Sequence, residues 1–497
     1  MTLLQHIRVH AAARPHATAL SWASGSLDYA ALVDAVDAAV AQLEGRGLRV
    51  LGLDLDNGPD WVVFDIAAMS LGICTVPLPA FFSSTQLRHA LTQAGVQAVI
   101  SDDPARLRAR VGLVGDTRLT LQAVQGPLAL LECISGKAVA SLPAGVDKIT
   151  FTSGTTGAPK GVLLGWKQMQ AVARSLVDAV GIVPGDRHLA LMPLAVLLEN
   201  IGGVYAPLWA GAEVVLRGMR EVGMAGAAGV DGARMAGALA SVGATTAIFT
   251  PQTLLAVTEA IESSAAPSGQ LRFAAVGGAP VSPRLLGRAT AAGLPVFEGY
   301  GLSECASVVC LNTPQHNRPG SVGRPLPHTG VRIVAGEVVI DPCGFLGYLG
   351  DAGHVSDPWH SGDLGEIDGD GYLHLRGRRR NVFITAFGRN VAPEWVEREL
   401  TLEPAIAQVA VFGEGQPFNV AVLTPAPGAT PADLAAALAR ANRQLPDYAR
   451  VTRWVESREA FSPANGLLTG TGRVRRDAVA ADYRDAIESL YLEAQTS

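Results

Sequence analysis

The chain has 497 residues, 48% of them hydrophobic and 17% charged, which is more than one core usually supports and too apolar for extensive disorder. A net charge of −6 leaves no electrostatic footprint for nucleic acid, and cysteines at 74, 133, 305, 310 and 343 have neither CxxC nor zinc-finger spacing. No apolar run reaches a membrane span, and the acid-free first 27 residues are too interrupted for a secretory signal, so a soluble protein of a reducing cytoplasm is expected.

Residues 27–45 place apolar side chains at helical spacing and end on Gly45, where a helix can close with positive φ. RVLGLDL (49–55) reads as a buried strand. The order then repeats: a helix at 61–72, the strand CTVPL, a helix near Ser84–Gly95 and the strand VQAVIS, the alternation of α/β layers. TTAIFT (245–250), a helix, and RFAAVGG (272–278) continue it, so a mostly parallel sheet flanked by helices is expected. From Gly336 short alternating strands and turn residues such as Asp368–Gly371 give a β-rich margin. After the basic run Arg376–Arg380 a new pattern appears in PEWVERELT, AQVAVFG, FNVAVLTP and a helix near Ala432–Arg443. The expected fold is α/β: a large N-terminal domain (1–377) of packed α/β subdomains, a hinge at 378–381, and a small mobile α+β domain (382–497).

The strongest local signal is ITFTSGTTGAPKG (149–161), an apolar strand running into hydroxyls and glycines that end on one lysine. Glycines let backbone N–H groups approach phosphate, hydroxyls donate, and the lysine adds charge. Pro159 stands before Lys160 where a Walker A loop needs glycine, so this is a different phosphate loop. Three more segments follow: GGAP (277–280), GYGLSE (299–304) and WHSGDLG (359–365), with Arg378 fifteen positions beyond Asp363. His316, His354 and His360 lack metal spacing and read as polar or turn residues.

These segments resemble those of the adenylate-forming superfamily of acyl-CoA synthetases, peptide-synthetase adenylation domains and luciferases, over nearly the whole chain. The resemblance implies that Thr152, Ser153, Gly154, Thr155, Thr156, Gly157 and Lys160 handle the β- and γ-phosphates, with Gly278, Ala279, Pro280 and Gly301 also at the nucleotide. Tyr300 would face adenine, Ser303 phosphate and Glu304 magnesium, while Asp363 and Arg378 would hold the ribose. Arg380 falls at the family's interdomain hinge. FGRNVAPEWVE (387–397) is similar to the segment that faces the site when the small domain rotates for thioester formation, in a form nearest bacterial long-chain acyl-CoA synthetases.

Two departures stand out. In NGLLTGTGRVRR (465–476) Gly470 replaces the family proline and Arg473 the catalytic lysine, which keeps the charge but changes its shape. In MPLAVLLEN (192–200) many long-chain relatives have His near Ala195 and Arg at Asn200; this segment borders the family's acyl pocket, which makes Ala195, Val196 and Phe249 candidate pocket residues, although a plain core helix explains the same letters. The implied function is ATP- and Mg2+-dependent activation of a fatty or other hydrophobic acid to an acyl-adenylate, then transfer to coenzyme A with release of AMP. The alternatives are loading of a separate carrier protein or another acceptor, and a catalytically impaired acyl- or nucleotide-binding relative created by Arg473.

Overall fold

The computed structural model describes residues 1–133, 142–152, 159–225, 229–263, 269–351, 358–469 and 472–495. Its helices and strands follow the apolar periodicity closely. The helix Tyr29–Leu43 is capped by Asp28, whose side chain accepts from Ala31 N–H at 2.8 Å, and Gly45 follows with φ +74°. Likewise Pro59–Ser70, Ser84–Ala94 and Pro431–Asn442 are helices, and Val50–Asp54, Cys74–Pro77 and Ala98–Ser101 are fully buried strands.

Where periodicity predicts one mostly parallel sheet, the large domain holds two. The reason is visible in the helix Pro59–Ser70, which is buried all round from Pro59 to Ala68, apolar except for Asp60 and Asp65, and therefore needs partners on every side. Together with Tyr29–Leu43 and Trp166–Val180 it fills the layer between the sheets, and one continuous core joins Leu51, Leu53 and Ile100 of one sheet to Leu20 and Val214 of the other. The first sheet runs Val114–Leu121, Leu128–Cys133, Ala98–Ser101, Val50–Asp54, Cys74–Pro77, Lys148–Thr152, Lys160–Leu164. The second runs Arg324–Pro325, Ser307–Leu311, Val296–Leu302, Phe273–Val276, Thr246–Phe249, Arg187–Leu189, Glu213–Val215, Thr18–Trp22, Gly25–Asp28. Both are parallel at the centre and antiparallel at the margins.

The β-rich margin is a four-stranded antiparallel sheet of Gly330–Val334, Glu337–Asp341, Trp359–Ile367 and Leu373–Arg378. Beyond it the small domain builds its own cores on the strands Ile406–Phe412, Asn419–Pro425 and Val451–Glu456. Alternation splits them: Val409, Val411, Ala421 and Leu423 face the helices Pro393–Leu400 and Pro431–Asn442, whereas Ala410, Val420 and Val422 face Phe461, Tyr483 and Ile487. Among the described residues no helix is long and apolar enough to cross a membrane.

Candidate active site

The phosphate-loop strand is pinned from beneath. Lys148, fully buried, donates to Asp65 at 2.8 and 3.0 Å, to Asn200 Oδ1 at 2.7 Å and to the Tyr205 hydroxyl at 2.9 Å. Burial draws the Lys148 ammonium below the usual lysine range, and Asp65 opposes that. Four residues on, the strand ends at Thr152; Ser153, Gly154, Thr155, Thr156 and Gly157 lie outside the described residues, and the chain re-enters the sheet at Lys160, beside Thr152. Lys160 holds its ammonium 5.1 Å from the centre of the Tyr348 ring. Tyr348 in turn donates to Glu304 Oε1 at 2.6 Å, and its own hydroxyl is pushed far up by burial and by Glu304. Lys160 and Glu304, 144 positions apart, are thus bridged by one aromatic ring.

The segment 299–304 is the end of the strand Val296–Leu302 and a single 3-10 turn, Ser303–Cys305. Gly301 is compulsory there, because a Cβ would stand 1.6 Å from the Ser307 carbonyl oxygen. The chain then turns through Ala306 at φ +52° and Ser307 at φ +94°, a left-handed passage that costs energy in non-glycine residues. Tyr300 donates to Asp363 Oδ2 at 2.7 Å while Arg378 Nε donates to Oδ1 at 2.7 Å. Asp363 and Arg378 are direct cross-strand partners, which is why fifteen positions separate them: two antiparallel strands and their turn fit between. Burial alone would lower the Arg378 guanidinium, but Asp363 outweighs it and the net shift is upward.

Arg473 reaches this cluster from the small domain. It emerges beside a β-bridge between Leu468 and Val474, held by Thr469 N–H on its carbonyl at 2.7 Å and its own N–H on the Thr469 hydroxyl at 2.9 Å. Its guanidinium donates to the carbonyl of Gly278, which adopts φ +83° at the end of the strand Phe273–Val276. Although its surface opens to the interdomain cleft, the protein around it and the charge of Arg378 lower its pKa, while Asp363, Glu394 and Glu304 pull the other way. Ala279 and Pro280 are exposed beside Gly278, Ser303 is half-buried beside Glu304, and Arg380 occupies an exposed turn directly after Leu373–Arg378.

An apolar cavity of about 50 Å³ backs onto this cleft. Leu176, Val180, Leu198, Gly202, Ile248, Phe273, Val308 and Leu311 line it, with His188 and Thr246 at one side. Val308 and Leu311 pair across the sheet with Gly301 and Gly299, so one wall belongs to the nucleotide segment. Phe249 is not a wall: it points to the opposite face of Thr246–Phe249, into the core with Leu254 and Val276, and Ile248 takes the cavity side. Ala195 and Val196 stand just before a three-residue helical turn and a π-helical stretch, Asn200–Tyr205, whose Gly202 reaches the cavity instead. His188 bridges Thr246 at 3.0 Å and Glu199 at 2.9 Å, closing the polar end.

Gln168, Tyr348, His188 and Glu199 carried no sequence signal. Gln168 donates to the backbone carbonyl of Glu304 at 2.9 Å across 136 positions, a pairing that only the fold creates.

The AMP-binding enzyme family matches residues 7–348, and the AMP-binding enzyme C-terminal domain matches 381–495. The chain belongs to the AMP-binding enzyme family. As a member it is an enzyme of the AMP-forming acid–thiol ligase class. It is 28% identical to the long-chain-fatty-acid–CoA ligase FadD15 of Mycobacterium tuberculosis, over 91% of each chain. It is also 28% identical to the indoleacetate–CoA ligase of Aromatoleum aromaticum, over 96% of this chain and 98% of that one. Among solved structures, the anthranilate CoA ligase AuaEII in complex with anthranoyl-AMP superposes with a TM-score of 0.78 at 19% identity, covering 98% of this chain and 97% of that one, a likeness of fold.

Proposed function

We propose that the cleft between the two domains adenylates a hydrophobic carboxylic acid, fatty or aryl, with ATP and then passes the acyl group to coenzyme A. The observation that carries this reading is the convergence of Tyr300 and Arg378 on Asp363, with the Arg473 guanidinium arriving from the small domain at the carbonyl of Gly278. In this reading Asp363 accepts the ribose hydroxyls, Arg378 orients Asp363, and Tyr300 offers its ring to adenine. Thr152, Lys160 and the loop between them meet the β- and γ-phosphates. The acid's carboxylate oxygen attacks the α-phosphorus, the bond to the bridging oxygen breaks, and pyrophosphate leaves.

Both reactants are anions, so the step needs positive charge held in place, and Lys160 and Arg473 supply it. Glu304 is a hard oxygen donor with one oxygen engaged by Tyr348; among the described residues no group of three His, Cys, Asp or Glu forms a metal cage. A magnesium ion here would be held by Glu304 and by oxygens of the substrate, and it would neutralise phosphate charge. The small domain, from residue 382, then turns about the exposed Arg380. Its hairpin of Phe383–Ile384 and Asn390–Val391, with Phe387 75% exposed at the tip, faces the site for the second half of the reaction. There the thiolate attacks the acyl carbonyl and AMP leaves.

The acid's hydrophobic part enters the cavity beside Val308 and Gly202. At about 50 Å³ that cavity is well under the roughly 300–1,000 Å³ of ordinary ligand pockets, so compact acids enter with less rearrangement than long chains. Carboxylate-dependent exchange of labelled pyrophosphate into ATP, across short, medium, long and aryl acids, tests the first half. Mass detection of the thioester after adding coenzyme A tests the second. No exchange with any acid would refute the reading; exchange without thioester would refute the acceptor.

A further inference from the structure

The large domain meets the small one twice along a single loop. At its start, Gly278 accepts from Arg473. Four residues later Ser282, almost fully buried, donates its hydroxyl to Glu399 Oε1 at 3.0 Å, and Arg284 brings its guanidinium to 3.8 Å from Glu399 and 3.7 Å from Glu403. Both glutamates belong to the small domain, at the end of the helix Pro393–Leu400 and the turn after it, and each is only about 5% exposed. Their other neighbours are small-domain arginines, Arg398 at 3.6 Å from Glu399 and Arg440 at 2.7 Å from Glu403. Leu402, between them in sequence, packs into the large-domain core that contains Leu285 and Phe249.

This contact has the chemistry of a reversible lock. Two buried carboxylates are tolerable where arginines and a hydroxyl meet them, and part of that set comes from across the domain boundary. When the small domain turns away, Glu399 and Glu403 keep Arg398 and Arg440 but lose Ser282 and Arg284, so the separated state is solvated rather than left with bare charges. The same loop carries the Arg473 contact, so its grip fixes where that guanidinium points.

We infer that Ser282, Arg284, Glu399 and Glu403 form a latch that holds the small domain in the adenylating orientation. They are positioning residues for acyl-adenylate formation and not for the thiol step. The inference rests on the proposed two-step reaction, and its test separates the two.

Arg284→Glu places a third carboxylate against Glu399 and Glu403 on a side chain that is 40% exposed, away from the core. Pyrophosphate exchange is expected to fall at least tenfold, while thioester formation from supplied acyl-adenylate and coenzyme A holds and the thermal midpoint does not move. Arg284→Lys should restore most of the exchange. Independently of activity, backbone amides at 281, 282, 284–286 and 398–403 should exchange hydrogen faster in Arg284→Glu than in the parent protein. Unchanged amide exchange overturns the latch whether or not the parent adenylates any acid. An equal fall of both half-reactions, or of neither, overturns it also, whereas a parent inactive towards every acid but with the predicted amide response overturns the function alone.

Discussion

Arg473→Ala tests the least familiar feature of the site. In the structure the guanidinium bonds a neutral carbonyl and, among the described residues, makes no ion pair, so its removal strands no buried carboxylate and should leave the thermal midpoint in place. On the proposed reaction, what is lost is one aimed cation beside the reacting phosphate. Removing a single charge-stabilising donor costs about 10²–10³ in rate, or roughly 3–4 kcal/mol. Arg473→Lys restores the charge without the planar fork and should match or exceed the parent. Pyrophosphate exchange reads both variants directly, and thioester formation from supplied acyl-adenylate should be unaffected by either. Exchange in Arg473→Ala at the parent rate would refute the role given to this residue, and an equal loss in both half-reactions would refute its restriction to the first.

Glu298, partly enclosed where the strand Val296–Leu302 meets Arg398, is raised by burial to about 7 from an ordinary 4.5, with Arg398 opposing. The folded chain therefore keeps a proton that the unfolded chain releases between those values, so stability falls as pH rises through that window and the full cost, about 3 kcal/mol, applies above it. Glu298→Gln should flatten that slope, read from thermal midpoints at acid and alkaline pH; a slope unchanged by the variant would contradict it. Lys148→Met leaves Asp65 charged and unpaired in the core and should cost about 3–5 kcal/mol in denaturant unfolding, and adding Asp65→Leu should recover much of it. A Cβ on Gly202 would already stand 2.8 Å from Ile248 Cδ1, so Gly202→Val should fill the cavity and depress kcat/KM most for bulky acids, with Ile248→Ala shifting preference the other way.

Local elements were readable because each has its own signal: Asp28 and Gly45 bracket one helix, and the buried runs at Val50 and Ala98 are strands by length and β-branching. The division into two sheets was not, since it depends on pairings such as Thr75 with Lys148, which no period in the sequence encodes. At the site, resemblance named Asp363, Arg378 and Glu304, whose segments keep a recognisable wording. It could not name Tyr348, Gln168 or Ser282, each of which acts through one contact made across a long stretch of chain. The exchange of Phe249 for Ile248 at the cavity has a simpler cause: strand faces alternate, and only the packing of Trp166–Val180 decides which parity faces which core.

The charge balance of the cleft bears on how an arginine can stand where the family resemblance implies a lysine. Asp363 is satisfied by Arg378 and Tyr300, Glu397 by Arg476 at 2.7 Å, one oxygen of Glu394 by Arg476 at 3.4 Å, and one oxygen of Glu304 by Tyr348. Lys160 and Arg473, by contrast, make no ion pair among the described residues, and Arg378 repels Arg473. The cleft thus holds two cations with no direct carboxylate partner among the described residues, which favours a polyanion between them over a neutral ligand. Lysine and arginine contribute the same charge to that field, so the substitution alters reach and hydrogen-bond direction while leaving the attraction for phosphate intact. A lower adenylation rate with nucleotide affinity preserved in the parent, relative to Arg473→Lys, is the signature of that distinction.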